Sequence, residues 1–516
     1  MTAKHRVEWT GTLRALGPIS VGGGGMGDVD LAPVRDGADK VFIPGTTLAG
    51  VVRSLIAETS RDPFGSQDQA STIEVDDAHL HNAGPLELRD GVGIDRKRGA
   101  AADGIKFTRL VVPSRSTFSF RMTALVDDVD SLNPLIALLT QKHGIAVGGG
   151  TSRGLGRVQL QQPERSSVRL DRAGVLAWLS GGAPAQRITP AEIGPPAGAT
   201  SEVIAVPWTA YGPVFVRAGT EGLAVDDLPL VSRDEGQAHL IIPGSSLKGV
   251  LRSHAERIER TVRGVEAPSE DFLDQVNDPR LTVTNRLFGT ARPAKERAPI
   301  APLDSGNEPP TGTSDASRSK TSKSDAGSAL GRRSALAVDD CRSLWSCPTT
   351  RWDAIVHAAS TADPDRLRAL RDELAGGKGE SPTPAPFQVG FHVGLDRWTS
   401  APVDGALYSA LEPWGIEWQP FSLRLDHRWL GDDRTAKAAR FLFLLVLRDL
   451  CEGWLPLGHG PWRGYGDIRA SAAGTCLDLS TWGAESLEAV IADTSLVEPL
   501  ALAWDDETND ARGGQA

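Results

Sequence analysis

Two pairs of carboxylates, Asp28 with Asp30 and Asp226 with Asp227, stand a short way upstream of two segments that carry hydroxyls, glycines and cations at one spacing. Residues 43–54 read IPGTTLAGVVRS and residues 242–253 read IPGSSLKGVLRS, identical at eight of twelve positions. In each, a hydroxyl pair (Thr46 and Thr47; Ser245 and Ser246) opens a helically periodic apolar stretch, and Arg53 or Arg252 follows, with Lys248 added in the second copy. Free N–H groups at a helix start, hydroxyl donors and a guanidinium together make a cradle for phosphate. Further on, Arg153 precedes Gly154 and Gly156, and Arg463 precedes Gly464 and Gly466, in glycine-rich turns that let backbone approach a polyanion closely. A carboxylate facing an RNA backbone held there would hold a divalent cation or help activate a ribose 2′-hydroxyl against its own phosphate. Asp30 and Asp227 are the first candidates for that role, and for the metal, with Asp28 and Asp226 as rivals.

Such a repetition requires two homologous domains to position the residues. Further landmarks recur in one order: VDLAPVRD with VDDLPLVSRD, Phe-Gly-Ser at 64–66 with Phe-Gly-Thr at 288–290, and STIEVDDA at 71–78 with SALAVDDC at 334–341. Asp95-Arg96 is then matched by Asp396-Arg397, and GGGTSRGLGRV at 148–158 by GHGPWRGYGDI at 458–468. Each copy opens on a β run (Val7 to Leu16; Val203 to Val216). A capped helix at the IPG block, a late helix (131–142; 434–452) and a strand leaving the glycine turn follow. The pattern is α+β, two tandem βαββαβ ferredoxin-like units with long loops. Boundaries fall at 1–165 and 201–475, with a Pro- and Gly-rich linker at 166–200 and an extension at 476–516. Low-complexity residues 292–333 read as a mobile insertion, and the acidic stretch 504–510 as a solvated tail.

The formal charge of −11 excludes a protein that coats nucleic acid by bulk attraction, so RNA must bind at local basic patches. No apolar run is long enough to span a bilayer, and MTAKHRVEWTG lacks the apolar core of a secretory signal. No membrane role and a cytoplasmic location are expected. The four cysteines form no Cys-x-x-Cys pair, and no structural zinc is expected.

As a set, these landmarks resemble the RAMP (repeat-associated mysterious protein) superfamily, in particular the backbone subunits of type III CRISPR effector complexes. The motifs that carry the likeness are VDLAPVRD, the IPG blocks, the Phe-Gly turns, the Asp-Arg segments and the Arg-Gly-x-Gly loops, across 5–160 and 203–470. The resemblance implies an RRM-like core per copy, a crRNA threaded along the backbone, and a β-thumb that interrupts the guide–target duplex. Arg96 and Arg397 would then be RNA contacts on the two thumbs. It also implies that the first-motif Asp, Asp30 and Asp227 here, cleaves target RNA with Mg²⁺ or another divalent cation. With Asp227 in that role, copy two carries one extra residue before Arg233-Asp234, which leaves Asp226 open beside Asp227. Copy one has Ala49 in place of the family lysine, and copy two has Pro461-Trp462 in its glycine loop. Two fused backbone domains look most like the double subunits of type III-D variants. The implied partners are crRNA, target RNA, a large polymerase-like subunit, further RAMP subunits and a small subunit. A scaffold without catalysis is one alternative; a repeat-processing endoribonuclease using His5 or His459 is another.

Overall fold

The computed structural model describes residues 4–55, 63–66, 68–181, 186–188, 201–219, 222–268, 271–291, 331–360, 365–376 and 385–509. In copy one, alternation along the opening strand buries Val7, Trp9 and Leu13 on one face, and Phe118, Phe120 and Met122 do the same on a later strand. Leu48 and Val52 of the IPG helix and Leu135, Ile136 and Leu139 of the late helix cover that face. The core strands are His5–Ala15, Ile73–Val75, Thr117–Val126 and Arg157–Arg169, with helices Gly45–Leu55 and Asn133–Thr140 in the crossovers. Antiparallel pairing puts them in the spatial order 4-1-3-2 of a ferredoxin-like unit.

Copy two repeats that order around its own hydrophobic core. Its strands are Ser201–Val206, Leu336–Val338, Phe421–Asp426 and Ile468–Ala470, and its helices are Gly244–Arg263 and Asp433–Cys451. The opening strand is shorter than its sequence pattern predicts. Pro207 has no N–H to give the ladder, so the strand breaks there and the last strand pairs with a short continuation, Trp208–Ala210.

Between the second and third core strands each copy extrudes a hairpin, the thumb insertion. Hairpin one is Glu87–Ile94 with Ala101–Val111; hairpin two is Phe387–Leu395 with Pro402–Pro413. Their tips are built alike: Asp95 accepts from the N–H groups of Lys97 and Arg98, both at 2.8 Å, and Asp396 from those of Trp398 and Thr399, at 3.0 and 2.7 Å. These amides, Arg98 and Thr399 first, hold both carboxyls below the usual carboxylate range.

Three expected segments differ. The last strand of copy one runs on to Arg169 and a helix spans Arg172–Gly181, so the first part of 166–200 is structured and only 182–185 and 189–200 lie outside the described residues. Of the 292–333 insertion, 292–330 lies outside them, while Arg332 pairs with Thr290 through mutual backbone bonds of 3.0 and 3.1 Å. The acidic 504–510 stretch is helical through Asn509, with only Asp510 outside the description. Trp504 is 3% exposed against Phe441, while Asp505 and Asp506 face outward and Glu507 pairs with Arg434 at 3.1 Å. The acidic residues form one face of an amphipathic helix, which the charge run concealed. Among the described residues no helix is long and apolar enough to cross a membrane.

Candidate nucleic-acid interface

The two glycine loops share one conformation, position by position. Gly148, Gly150, Gly154 and Gly156 have φ of +79°, +72°, +86° and +81°; Gly458, Gly460, Gly464 and Gly466 have +97°, +61°, +87° and +80°. A Cβ at the outer glycines would also strike backbone, 2.5 Å from Ser20 O and 2.0 Å from Val147 O in copy one, and 2.4 Å from both Phe215 O and Leu457 O in copy two. Geometry therefore demands glycine. Arg153 and Arg463 stand exposed on the rims.

The IPG helix start is duplicated as closely. The Gly45 and Gly244 N–H groups donate to Asp77 Oδ1 (2.7 Å) and Asp340 Oδ1 (2.8 Å). A Cβ on either glycine would lie 2.1 or 2.2 Å from the carbonyl oxygen of Val75 or Val338. The cap is thus a carboxylate from the distant VDD segment, and not the hydroxyl pair that local sequence pointed to. The residue before helix Gly244–Arg263 is Pro243, which makes no side-chain cap bond of its own. The hydroxyls of Ser245 and Ser246 are thus not needed as caps and line a groove, and Thr46 and Thr47 hold the same places in copy one.

Three cations read as phosphate contacts serve the protein instead. Arg53 donates to Gly65 O (3.2 Å) and Arg252 to Gly289 O (2.9 Å), pinning the Phe-Gly turn to the helix in both copies; Arg252 also holds Val276 O and Glu256. Lys248 is buried, with Nζ donating to Ser334 Oγ (2.7 Å) and Leu336 O (3.0 Å). Burial, then the charges of Arg252 and Arg153, push its pKa well below the ordinary amine value.

Gly154 and Arg96, also read as RNA contacts, join the two copies. A Cβ at Gly154 would sit 2.4 Å from Asp340 Oδ1. Arg96, at the tip of hairpin one, donates to Glu256 (2.6 Å) and, through its backbone, to Gln275 (2.9 Å) over the Phe272 ring. Deeper in the same interface Arg157 pairs with Asp339 (2.7 Å), and Glu87 accepts from Ser232 Oγ and the Arg233 N–H. In copy two the counterparts are open: Arg397 is exposed, and a Cβ at Gly464 would meet nothing within 4 Å.

Hairpin one, the glycine loops and the IPG helix of copy two enclose a groove of about 2430 Å³. Fourteen arginines and lysines line it against four carboxylates, so a chain of net charge −11 gathers positive potential at one place. The sequence model of the RAMP superfamily matches residues 12–159 and 209–469, nearly all of both copies. The chain belongs to the RAMP superfamily. A search of curated proteins finds no match. Membership makes the chain a CRISPR-associated RNA-binding subunit, and the groove is a place where its described basic residues gather.

The two RAMP copies settle which aspartates correspond. Asp30 Oδ2 accepts from the Thr108 N–H (2.7 Å) and Oγ1 (3.1 Å), and Asp226 Oδ2 from the Ser409 N–H (2.7 Å) and Oγ (2.9 Å). Leu31 pairs in parallel with Arg109, and Asp227 with Ala410. Asp226 is therefore the counterpart of Asp30, and Asp227 the counterpart of Leu31. An ungapped reading of VDLAP against VDDLP shows the same register; the two extra residues of copy two lie after the proline. Both Asp30 and Asp226 are exposed at the base of a hairpin. Asp28 is exposed too, and its carbonyl accepts from Thr108 Oγ1 (3.2 Å). Thr108 and Ser409 carried no sequence signal.

Asp227 is buried and engaged by both oxygens, with Arg217 at 2.6 Å and His459 at 3.2 Å. Burial works to raise its pKa, but His459 and Arg217 outweigh it and hold the carboxyl below the usual range. His5 is half-buried at the start of the first strand, away from any such partner among the described residues. Among the described residues no three His, Cys, Asp or Glu side chains gather to hold a metal.

Proposed function

We propose that the chain is a crRNA-binding backbone subunit of a type III CRISPR effector complex, most like the fused double subunits of type III-D variants, and that it cleaves complementary target RNA in antiviral defence. The observation that carries the cleavage reading is the identical seating of Asp30 and Asp226: one oxygen is fixed by an N–H and a hydroxyl, on an exposed carboxylate at the base of a hairpin. Mg²⁺ keeps several waters and takes one or two carboxylates plus phosphate oxygens, so a lone exposed Asp beside bound RNA fits it. The cation would supply charge stabilisation at the phosphate. Asp30 and Asp226 would orient the ribose 2′-hydroxyl or accept its proton. Asp227, closed off by Arg217 and His459, does not fit the metal and is better read as a support of the glycine loop.

Further RAMP subunits, a polymerase-like large subunit and a small subunit would be the protein partners, in the cytoplasm. The contact between the copies supports the first of these: it is head-to-tail, hairpin and glycine loop on IPG helix, and such a contact leaves each end able to accept another unit.

The assembled complex, supplied with complementary RNA and Mg²⁺, tests the reading through its product ladder. Asp30→Ala removes one cut and Asp226→Ala another, while Asp227→Ala leaves the number of products unchanged. Undiminished cutting in the Asp30→Ala, Asp226→Ala double variant would sink the assignment. One observation favours a second reading: His459 lines the groove backed by Asp227, a general-base arrangement suited to repeat processing. Cutting of repeat RNA by the isolated protein, lost in His459→Ala, is the outcome that reading requires.

A further inference from the structure

Trp462 is a feature of the groove that neither the fold nor the cleavage reading uses. It is 86% exposed and lines the groove. It occupies the single turn Pro461–Arg463, mounted between Gly460 at φ +61° and Gly464 at φ +87°. The turn is held firmly. Pro461 fixes its own φ, the Arg463 N–H donates to Gly460 O at 2.8 Å, and the Arg463 guanidinium lies 4.4 Å over the Tyr408 ring. A Cβ at Gly99, on the tip of hairpin one, would lie 3.8 Å from Trp462 Nε1, so the indole stands where that hairpin meets the loop of copy two. Among the described residues its N–H has no hydrogen-bond partner. The matching residue in copy one is Ser152, whose carbonyl accepts from the Val338 N–H (3.3 Å) and so belongs to the contact between copies.

We propose that Trp462 is a stacking platform for one unpaired nucleobase of the RNA in the groove, a base-contact site that copy one lacks. The inference rests on the RNA-binding reading. An indole face accepts any base, and such stacking is worth about 1–3 kcal/mol per base. The exposed guanidinium groups of Arg153 and Arg463 on the loops that line the groove select a polyanion as the occupant over an apolar protein surface. Bases inside a duplex are already stacked on both faces, so the base that lands here is one held out of pairing. The fixed turn means little backbone freedom is lost on binding.

Binding of a short single-stranded RNA to the full-length chain, followed by fluorescence anisotropy across a salt series, tests the site. Trp462→Ala should weaken binding about 5- to 150-fold, and Trp462→Phe far less, with the salt dependence unchanged. Arg463→Ala should instead lower the salt slope by about 0.7. In RNAs carrying one abasic ribose at successive positions, the Trp462→Ala loss should vanish at one position. If Trp462→Ala binds as the wild type does, or loses the same affinity for every abasic RNA, the platform is wrong and the RNA-binding reading stands. If the wild-type chain binds no single-stranded RNA, both fall.

Discussion

The IPG helix start is present twice, once covered and once open. In copy two, Asp340 caps Gly244 beneath the glycine loop of copy one, whose Gly154 leaves no room for a side chain. In copy one, Asp77 caps Gly45 in the same way but is exposed. The donor elements show the reverse asymmetry: hairpin one and its glycine loop are seated on copy two, while hairpin two ends in Trp398 at 95% exposure. One interface has thus been built between two copies of a unit, with its acceptor half free at one end and its donor half free at the other. Twin folds here imply different surroundings, so the same residue type has different work in each copy.

The comparison breaks first at the glycines. Gly154 and Gly464 have nearly the same φ, +86° and +87°, so alanine at either position meets the same left-handed strain, about 1–2 kcal/mol. Only at Gly154 does the new Cβ collide with Asp340, and overpacking there should add about 1–3 kcal/mol. Denaturant unfolding of Gly154→Ala and Gly464→Ala should therefore show clearly unequal losses. Equal losses would mean that the loop of copy one is not seated on copy two.

The arginines at the hairpin tips form the next pair. Removing Arg96 leaves the buried Glu256 with Arg252 as its remaining cation, and should cost about 2–3 kcal/mol, less than a fully orphaned buried charge. Arg397→Ala, on an exposed tip, should stay within about 0.5 kcal/mol. Hydrogen exchange reads the same contrast without relying on global unfolding: the tip of hairpin one should be protected in the wild type and approach the exchange of hairpin two in Arg96→Ala. Protection that survives the substitution would place the anchor elsewhere, on Gln275 and Phe272.

Much of this was legible in the sequence, because duplication doubles every weak signal. The ferredoxin-like units, the thumbs, the helix starts and the glycine loops all stand where the paired motifs put them. What was hidden is direction. Lys248 and Arg252 sit on a helix whose apolar spacing was readable, yet periodicity marks the apolar residues and does not say whether a neighbouring cation turns to solvent or to a buried carbonyl. The hydroxyl pairs looked like caps because capping statistics are local, whereas the real caps, Asp77 and Asp340, come from segments far along the chain. The duplicated VDD was their signal, but as sequence it marked only the repeat. Contacts between copies, such as those of Arg96 and Gly154, have no counterpart in either copy alone, so aligning the copies could not reveal them.

The finest contrast lies in the caps themselves. Burial under the glycine loop pushes the Asp340 carboxyl from its ordinary 3.8 up to about 6, against the pull of Arg89 and the Gly244 N–H. Between about pH 6 and 4 the folded chain therefore keeps a proton that the unfolded chain has given up. Stability from this group rises as pH falls through that window and is absent above it. Asp340→Asn keeps the oxygen that accepts from Gly244 and removes the buried charge, so near neutral pH its net effect should stay within about 1 kcal/mol. The measurement lies in the difference: from pH 7 to 4.5, denaturant unfolding should shift in favour of the wild type relative to Asp340→Asn, whatever other carboxylates do to both proteins. A difference that stays flat would mean that Asp340 remains ionised and solvated, and hence that the glycine loop of copy one does not cover it.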